Sequence, residues 1–327
     1  MRILVIGGAG YVGSHTVRLL HRAGHEVWVY DNLCRGHRVA VPPGTLIEGA
    51  LEDTAKLFET MQSKRIEAIL HFAAFLEVGE SVVDPAKYYR NNVVGTLGLL
   101  DTMRTAGVTK IVFSSTTATY GVPDKIPITE QEKQAPISPY GFTKFVIEKA
   151  LEDYSRAYGL AYAALRYFNA AGASPEGDIG EDHTPESHLI PLVLQVALGQ
   201  RAEISLFGDD YPTPDGTCIR DYVHVDDLGD AHIRALAHLQ LGKGLRLNLG
   251  TGHGHSVRDI VEACRRVTGH PIPVKIAPRR PGDSPELVAD SSLAQKTLGW
   301  QPKYVKIDDL VSTAWNWHKS HPQGFGD

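Results

Sequence analysis

A tyrosine and a lysine lie four residues apart, at Tyr140 and Lys144, in the segment "SPYGFTKFVIEKALEDY". The apolar residues of this segment recur at helical spacing, so we predict an amphipathic helix. Side chains at positions i and i+4 share one helix face, with Cβ atoms about 5–6 Å apart, and the phenol and the ammonium group would meet there. A positive charge close to a phenol lowers its pKa, so the pair has the composition of a general base. A solvated surface contact would show the same spacing.

Hydroxyl side chains form a second candidate group, in "FSSTTATYG". Residues 114–117 are all serine or threonine, and they follow the apolar run Lys110–Phe113, which we predict to be a strand. Ligands of open parallel sheets bind beyond the carboxyl ends of the strands, so these hydroxyls would lie where chemistry takes place. For most of the four, the simpler interpretation is that they satisfy backbone groups at the end of the strand.

Three glycines, Gly7, Gly10 and Gly13, are evenly spaced in "VIGGAGYVGSH", between the first predicted strand and the first predicted helix. Such glycines permit a tight turn and let the backbone approach a pyrophosphate at the start of a helix. Asp31 ends the second predicted strand, where a carboxylate accepts hydrogen bonds from the ribose hydroxyls of NAD and repels the additional phosphate of NADP. The three residues after Asp31 include no arginine that could bind that phosphate, and the first arginine is Arg35, so we favour NAD over NADP.

Predicted strands and helices alternate through the first half of the chain. The predicted strands span residues 3–6, 26–30, 45–47, 68–72, 110–114 and 163–167, and the predicted helices span 14–23, 54–63, 92–105 and 141–158. This alternation is typical of βαβ units. We therefore expect an α/β fold with a Rossmann-like doubly wound parallel sheet and a smaller C-terminal substrate-binding domain.

The composition changes after about residue 170, where the chain becomes dense in Gly, Pro and Asp. Helices are predicted at 189–199, 225–238, 256–268 and 307–318, and strands at 246–249 and 274–276. We therefore divide the chain into a dinucleotide-binding Rossmann domain at 1–170 and a substrate-binding domain at 171–327. Parts of about 223–250 are expected to return to the sheet.

The bulk composition excludes several classes of protein. With 327 residues, 43% of them hydrophobic, and a net charge of -5, the chain has a core and lacks the basic surface that nucleic acids or anionic membranes require. Its three cysteines are scattered, which is typical of the reducing cytoplasm, and the N-terminus has too few apolar residues for a signal peptide. The histidines of "EDHTPESH" and "GHGH" match no zinc spacing. We expect a cytoplasmic protein without a metal site.

The glycine turn, the strand end rich in Ser and Thr, and Tyr140-x-x-x-Lys144 together resemble the extended short-chain dehydrogenase/reductase family. The resemblance extends along essentially the whole chain, through "MRILVIGGAGYVGSH", "YDNLCRGH", "HFAAFLEVGESV", "YYRNNVVGTLGLL", "LRYFNAAGA", "DYPTPDGTCIRDYVHV", "RRPGDSPELVADSS" and the terminal "HPQGFGD". It implies an isomerase with NAD as cofactor, a UDP-sugar as substrate and a homodimer as the assembly. The implied reaction interconverts UDP-galactose and UDP-glucose by transient oxidation at C4, rotation of the 4-keto intermediate and return of the hydride.

The resemblance assigns the catalytic roles to three residues. It implies that Tyr140 removes the proton of the C4 hydroxyl, that Lys144 lowers the pKa of Tyr140, and that Thr116 contacts the C4 oxygen. A phenol with a pKa near about 10 needs a shift of about three units, or about 4 kcal/mol, to act as a base at pH 7. One positive charge supplies about one to three units. We therefore expect the cationic nicotinamide of bound NAD to be the second contributor.

Further site residues are implied by their positions in these motifs. The implied cofactor contacts are Gly7, Gly10, Tyr11, Val12, Gly13, Asp31, Asn32, Leu33, Cys34, Arg35, Gly36, Ala50, Leu51, Phe72, Ala73, Ala74, Asn91, Tyr140, Lys144 and Phe168. The implied substrate contacts are Thr116, Tyr140, Asn169, His188, Leu189, Phe207, Arg220, Arg280, Asp283 and Leu287. The arginines suit a diphosphate, Asp283 suits the uridine ribose, and Phe207 would pack near uracil. For Arg220 the alternative is an ion pair with Asp221 or Asp227.

Four positions depart from the family pattern. Ala50 replaces an acid that contacts the adenine amine, and Leu76 replaces a lysine near the cofactor. His188 stands where relatives often carry Asn. Leu287 is intermediate in size between the residues that relatives have there, so acceptance of UDP-N-acetylglucosamine stays open.

Other functions remain to be weighed against the implied reaction. A 4-epimerase of another UDP-sugar, namely UDP-N-acetylglucosamine, UDP-xylose or UDP-galacturonate, would use the same catalytic residues. A 4,6-dehydratase would need Thr-Asp-Glu where this chain has Thr116, Thr117 and Ala118. A non-catalytic NAD-sensing module would not require Tyr140 and Lys144.

Overall fold

Strands and helices alternate along the first half of the chain. The structure is a computed structural model that describes residues 1–280 and 283–326. In chain order the elements of this half are β1 (Arg2–Ile6), α1 (Tyr11–Arg22), β2 (Glu26–Asp31), β3 (Leu46–Glu48), α2 (Thr54–Ser63), β4 (Ala68–His71), α3 (Val78–Val83), α4 (Pro85–Tyr88), α5 (Gly95–Ala106), β5 (Lys110–Thr116), α6 (Pro139–Tyr158) and β6 (Ala161–Tyr167). A π-helical turn at Tyr89–Val94 leads directly into α5. The sequence did not predict α3 and α4, because a short valine-rich segment interrupted by proline lacks helical periodicity.

The second half of the chain is less regular. Its elements are β7 (Asn169–Ala171), α7 (Leu189–Ala197), β8 (Ile204–Phe207), β9 (Ile219–His224), α8 (Val225–His238), β10 (Gly244–Leu249), β11 (Gly254–Ser256), α9 (Val257–Thr268), β12 (Val274–Ala277), β13 (Glu286–Leu287), α10 (Ser292–Leu298) and α11 (Ile307–Ser320). The sequence did not predict β7, β8, β9, β11, β13 and α10. These strands are short and lie in or beside segments rich in Gly, Pro and Asp, so their alternation is too brief to detect.

Seven parallel strands form the central sheet, in the order β10-β6-β5-β4-β1-β2-β3. The chain first builds outward from β1 to β3 and then continues on the other side of β1 with β4. Ligands of such sheets bind beyond the carboxyl ends of the strands, at the point where this order switches. The strands that flank the switch end at Ile6 and His71, and β5 beside them ends at Thr116. The Rossmann-like fold predicted from the sequence is confirmed.

Helices cover both faces of the central sheet. Ile3 and Val5 of β1 pack in the core shared with α1 and α8, whereas Leu4 and Ile6 pack in the core shared with α2, α5 and α6. All four side chains are at most 1% exposed. Strands buried on both faces read as continuous apolar runs, which is why β1 is so apolar in the sequence.

Smaller sheets and a separate core make up much of the second half. Strands β11, β9 and β13 lie side by side with β7 next to β9, and β12 pairs with β8. Helices α7, α9 and α11 contribute an apolar cluster of their own, which includes Val193, Ile260 and Val311. By contrast, α8 packs against α1, and β10 pairs with β6 at the edge of the central sheet. Within the described residues, no helix is long and apolar enough to cross a membrane.

Candidate active site

The glycine turn joins β1 to the N-terminus of α1. A Cβ atom at Gly7, whose φ is +76°, would lie 2.5 Å from the backbone nitrogen of Ala73, and one at Gly13 would lie 2.2 Å from the carbonyl oxygen of Gly7. The packing of the chain itself therefore requires these two glycines. A Cβ at Gly10 would make only an ordinary contact of 3.6 Å. Within the described residues no side chain caps α1, so its first N–H groups suit an anion such as a pyrophosphate.

Asp31 lies at the carboxyl end of β2, beside this turn. Its carboxylate accepts hydrogen bonds from the backbone N–H groups of Ala9, at 3.0 Å, and Leu33, at 2.9 Å. Burial raises the pKa of Asp31, and these backbone hydrogen bonds oppose the rise. Each oxygen keeps acceptor capacity for a ribose hydroxyl. The guanidinium of Arg35 donates to the carbonyl oxygen of Thr184 instead of standing free for a phosphate.

The remaining residues that the motifs assign to a cofactor surround the same edge of the sheet. Tyr11 and Val12 begin α1, Asn32 to Gly36 follow β2, Ala50 and Leu51 follow β3, Phe72 to Ala74 follow β4, Asn91 lies in the π-helical turn, and Phe168 follows β6. The carbonyl oxygen of Ala50 accepts a hydrogen bond from the hydroxyl of Tyr30 at 3.2 Å. The Tyr11 hydroxyl donates to the carbonyl oxygen of Gly172 at 2.5 Å and so ties α1 to the second half of the chain.

The start of α6 holds Tyr140. The hydroxyl of Ser138 caps the helix and accepts a hydrogen bond from the N–H of Gly141 at 3.2 Å. The N–H of Tyr140 donates to the hydroxyl of Ser81 in α3, also at 3.2 Å. Two hydroxyl groups therefore position the first turn of α6, and with it the phenol.

Lys144 is buried one turn further along α6, with 3% of its surface exposed. Its ammonium group donates to the carbonyl oxygen of Ser114 at 2.8 Å and lies 4.7 Å from the centre of the Phe113 ring. Burial lowers the pKa of Lys144 to about 7, although the carboxylate of Glu148 opposes this effect. The charge of Lys144 is therefore sensitive to small changes near neutral pH.

The phenol of Tyr140 is not activated by the chain alone. Burial raises its pKa well above the ordinary value, and the nearby Tyr167 adds to the rise. A hydrogen bond with Thr116 acts in the opposite direction. The sequence led us to expect a lowered pKa with Lys144 as one contributor. In this structure the pKa is raised, so activation requires a positive charge beyond the groups of the chain.

Thr116 is the one of the four hydroxyl residues 114–117 that reaches Tyr140 within the described part of the chain. It ends β5 and also accepts a hydrogen bond from the N–H of Ala118 at 3.1 Å. The other three hydroxyls bond elsewhere: Ser114 to the Tyr167 hydroxyl at 2.5 Å, Ser115 to Glu148 at 2.5 Å and Thr117 to the carbonyl oxygen of Tyr167 at 3.3 Å. Of these three, only Thr117 satisfies a backbone group of the described residues, as the simpler interpretation predicted. For Ser114 and Ser115 that prediction is wrong, because both bond to side chains.

A buried ion pair supports this arrangement, and the sequence reasoning missed it. Glu148 accepts hydrogen bonds from Nε of Arg166, at 2.9 Å, and from Nη2, at 2.5 Å. The two side chains are 1% and 2% exposed, and they fix α6 against β6. A signal was present in the sequence, because Glu148 stands on the same helix face as Tyr140 and Lys144, and Arg166 interrupts an apolar strand.

Three of the predicted substrate contacts line one cavity. Asn169, His188 and Leu189 share it with Glu181 and Tyr222. Asn169 lies in β7, and His188 stands immediately before α7. The imidazole of His188 is hydrogen-bonded to the carboxylate of Glu181.

The other predicted substrate contacts lie together on β8, β9 and the segment before β13. The guanidinium of Arg280 lies 4.0 Å from the centre of the Phe207 ring. Arg220 donates to the carbonyl oxygen of Ser284 at 2.8 Å and lies 3.6 Å from the carboxylate of Asp283. Leu287 is the partner of Arg220 in the β-sheet register. Two residues of the quoted motif around Arg280, Pro281 and Gly282, lie outside the described residues.

The alternative pairing of Arg220 with Asp221 or Asp227 is wrong. Asp221 is fully buried and accepts hydrogen bonds from the N–H and hydroxyl groups of Thr251, at 2.9 and 2.7 Å. Asp227 accepts from the backbone N–H groups of Lys303 and Tyr304, at 2.9 and 3.0 Å. Both carboxylates stabilise the fold, and the ionic neighbour of Arg220 is Asp283.

Proteins of known sequence and structure resemble this chain over its whole length. Proteins named UDP-glucose 4-epimerase from Halalkalibacterium halodurans and Lacticaseibacillus casei are 55% and 52% identical to it, and the alignments cover 99% and 100% of this chain and 98% and 99% of the relatives. A crystal structure of a UDP-glucose 4-epimerase is 52% identical, covers 99% of both chains and superposes with a TM-score of 0.97. A structure of the Brucella ovis UDP-glucose 4-epimerase in complex with NAD is 51% identical, covers 96% of this chain and 97% of that one, and superposes with a TM-score of 0.93.

A family model agrees with this similarity. The model described as the NAD dependent epimerase/dehydratase family matches residues 3–250, which include the glycine turn, Thr116, Tyr140 and Lys144. The resemblance inferred from the sequence motifs is thereby confirmed, and the chain belongs to the NAD dependent epimerase/dehydratase family.

Proposed function

We propose that this protein interconverts UDP-galactose and UDP-glucose as an NAD-dependent isomerase that inverts the sugar at C4. The observation that carries the proposal is the meeting of Thr116 and Tyr140 at the carboxyl edge of the central sheet, with Lys144 buried one turn further along α6. The relatives named UDP-glucose 4-epimerase, at 52–55% identity, support the same reaction.

NAD is the cofactor that the residues at the glycine turn fit. The first N–H groups of α1 would hold its pyrophosphate, and the Asp31 carboxylate would accept hydrogen bonds from the adenosine ribose. When bound, NAD would take up the hydride from C4 of the sugar and return it to the opposite face. Arg35 is engaged by Thr184 and lies 3.7 Å from Glu77, which favours NAD over NADP.

In this proposal, Tyr140 takes the proton from the C4 hydroxyl. Thr116 is hydrogen-bonded to Tyr140 and would orient the C4 oxygen toward it. Because burial raises the pKa of Tyr140, the phenol holds its proton until a positive charge is bound beside it. The phenolate is then formed only when a positive charge is bound. The protein without cofactor therefore avoids the energetic cost of an unpaired buried phenolate.

The sugar nucleotide would bind across the second half of the chain. Arg220 and Arg280 supply the positive charge for a diphosphate, and Phe207 supplies a flat surface beside Arg280 for the uracil ring. We propose the division into an NAD-binding domain at 1–170 and a UDP-sugar-binding domain at 171–327, with β10 and α8 contributed to the first.

A homodimer in the cytoplasm is the assembly and location that we propose. Three large apolar side chains are exposed on α6 and the π-helical turn before α5: Tyr89 is 39% exposed, Val94 59% and Phe142 41%. Rings of Tyr89 and Phe142 lie 6.3 Å apart, so they form one patch. An exposed apolar patch of this kind suits contact with a second copy of the chain.

The test is conversion of UDP-galactose to UDP-glucose by the purified protein without added cofactor, followed by nucleotide-sugar chromatography. We expect conversion by the wild type and its loss in Tyr140→Phe, whereas Tyr158→Phe, which changes a tyrosine 58% exposed on the same helix, keeps it. Bound NAD without conversion would contradict the proposal and favour a non-catalytic NAD-sensing module. A parallel panel with UDP-N-acetylglucosamine, UDP-xylose and UDP-galacturonate tests the other 4-epimerase reactions, for which the size of Leu287 is the relevant feature.

A further inference from the structure

Two histidines and two glutamates converge in the loop between β7 and α7. Glu181, His183, Glu186 and His188 each offer one ligand atom, and these atoms all lie within 4.8 Å of one another. Their spacing in "EDHTPESH" matches no zinc motif, so the sequence predicted no metal there. The fold of the loop, rather than the spacing, brings the four side chains together.

Three of the distances between ligand atoms are close to those of a tetrahedral metal centre. The Nδ1 atom of His183 lies 3.3 Å from Oε1 of Glu181 and 3.8 Å from Oε2 of Glu186, and Nδ1 of His188 lies 3.7 Å from Oε1 of Glu186. Zinc binds nitrogen and oxygen at about 2.0–2.1 Å, which places neighbouring ligand atoms of a tetrahedron about 3.3 Å apart. An ion would replace the direct hydrogen bond between His188 and Glu181.

The position of the His183 ring is a second observation. Its Nδ1 atom is buried between the carboxylates of Glu181 and Glu186, at distances of an ion pair and without the geometry of a direct hydrogen bond to either. A cation bound between these carboxylates would take the neutral imidazole nitrogen as a further ligand. The side chains of Glu181 and Glu186 are 4% and 7% exposed, whereas that of His188 is 36% exposed, so the ion would have buried carboxylate ligands and an open side at His188.

The loop is anchored on both sides of the cluster. The indole N–H of Trp317 donates to the carbonyl oxygen of Glu181 at 3.2 Å, and the N–H of Phe325 donates to the carboxylate of Asp182 at 2.8 Å. His188 precedes α7 directly. The four donor atoms are therefore carried on a positioned segment, as a metal site requires.

We propose that Glu181, His183, Glu186 and His188 form a binding site for a divalent transition-metal ion, with Zn²⁺ as the ion that fits best. Imidazole nitrogens and carboxylate oxygens are ligands that Zn²⁺ and Co²⁺ accept, and two carboxylates balance the charge of a divalent cation. Glu181 and His188 also line the cavity with Asn169, so the ion would lie at the edge of the proposed substrate site.

The experiment uses the full chain after treatment with a chelator, titrated with Co²⁺ and followed by visible absorption. We expect one Co²⁺ per chain with the intense bands of a tetrahedral centre, displaced by Zn²⁺. His183→Gln and Glu186→Gln each remove a direct ligand. Each should weaken Co²⁺ binding by more than the loss of a residue that only supports a ligand, which typically lowers metal affinity by about 10-fold to 100-fold. His253→Gln, which changes an exposed histidine in the other His-rich stretch, should leave binding unchanged.

The wild-type spectrum decides the proposal even if a variant folds poorly. A spectrum that stays that of the weakly absorbing, octahedral aqueous ion, or Co²⁺ binding that both variants retain, would show that the four residues form only a network of ion pairs. Thermal unfolding of each variant without metal checks its fold. Because the readout is metal binding, it is independent of whether the protein epimerises a UDP-sugar.

Discussion

The ammonium group of Lys144 donates a hydrogen bond to the carbonyl oxygen of Ser114 at 2.8 Å. This bond joins α6 to the end of β5, at the first of the hydroxyl residues 114–117. Because the site is buried, the pKa of Lys144 falls to about 7, far below the about 10.4 of a free lysine. Lys144 therefore links α6 to β5, and its pKa lies close to neutral pH.

The lowered pKa of Lys144 makes the stability of the cofactor-free protein depend on pH. Between about pH 7 and pH 10 the unfolded chain binds more protons at this site than the folded chain, so wild-type stability rises with pH. Lys144→Met lacks this titration. We expect Lys144→Met to have a higher free energy of unfolding than the wild type, and we expect this difference to be largest at or below pH 7. The difference should shrink by on the order of 3 kcal/mol toward pH 10. Urea unfolding of both proteins at several pH values measures it.

A matched control for this experiment is Lys149→Met on the same helix, where the lysine side chain is 50% exposed. The difference in free energy of unfolding between Lys149→Met and the wild type should stay constant across the pH range. If Lys144→Met also ran parallel to the wild type, the burial of a titrating ammonium group would be contradicted.

Thr116 is expected to act through its hydroxyl group. Thr116→Val removes the hydrogen bond to Tyr140 and the proposed contact with the C4 oxygen, and a hydrogen bond to a charged group is worth about 1.5–3 kcal/mol. We expect kcat to fall by about 10-fold to 100-fold and Thr116→Ser to restore most of it. Steady-state kinetics with UDP-galactose measures both. Full activity in the valine variant would exclude the role.

The Glu148–Arg166 ion pair should be costly to break from one side. Glu148→Gln leaves the guanidinium of Arg166 buried without its counter-charge, so we expect the free energy of unfolding to fall by about 3–5 kcal/mol. Glu152→Gln changes a glutamate on the same helix whose side chain is 37% exposed, and its loss should stay below about 1 kcal/mol. Denaturant unfolding compares the two, and equal losses would contradict the claim that burial makes the difference.

Arg280 and its neighbour Arg279 offer a paired test of substrate binding. Arg280 lies over Phe207, whereas Arg279 pairs with Asp210 at 2.6 Å and lies over Tyr211. We expect Arg280→Met to raise KM for UDP-galactose by about 10-fold to 100-fold with little change in kcat. Arg279→Met should leave KM within about twofold. Similar KM values for both variants would remove Arg280 from the substrate site.

The sequence predicted those elements of the fold whose apolar residues or glycines follow a local pattern. The glycine turn, the apolar strands of the central sheet and the long helices have periodic patterns that do not depend on distant residues. Strand β7 was missed because it has only three residues. Strand β9 has six residues but was missed because its buried positions include Asp221 and His224, which hide the apolar pattern. The same limit explains the site: the motifs identified Tyr140, Lys144 and Thr116, but only the tertiary structure places the Lys144 ammonium group on Ser114.

Charges buried by tertiary contacts were the other feature that the sequence did not predict. The sequence marks Glu148 and Arg166 as unusual at their positions, but their spacing does not say that they meet, since one lies on a helix and the other on a strand. The cluster of Glu181, His183, Glu186 and His188 depends likewise on how one loop folds. In both cases the energetics depend on burial, which the sequence does not state.

The most direct test of the proposed reaction is conversion of UDP-galactose in deuterium oxide, with the UDP-glucose product examined by mass spectrometry and proton NMR. If hydride leaves C4 and returns within the site while Tyr140 handles only the hydroxyl proton, the product carries hydrogen, not deuterium, at C4. Deuterium at C4 would show that inversion proceeds by deprotonation of carbon and would contradict the account, as would the absence of UDP-glucose.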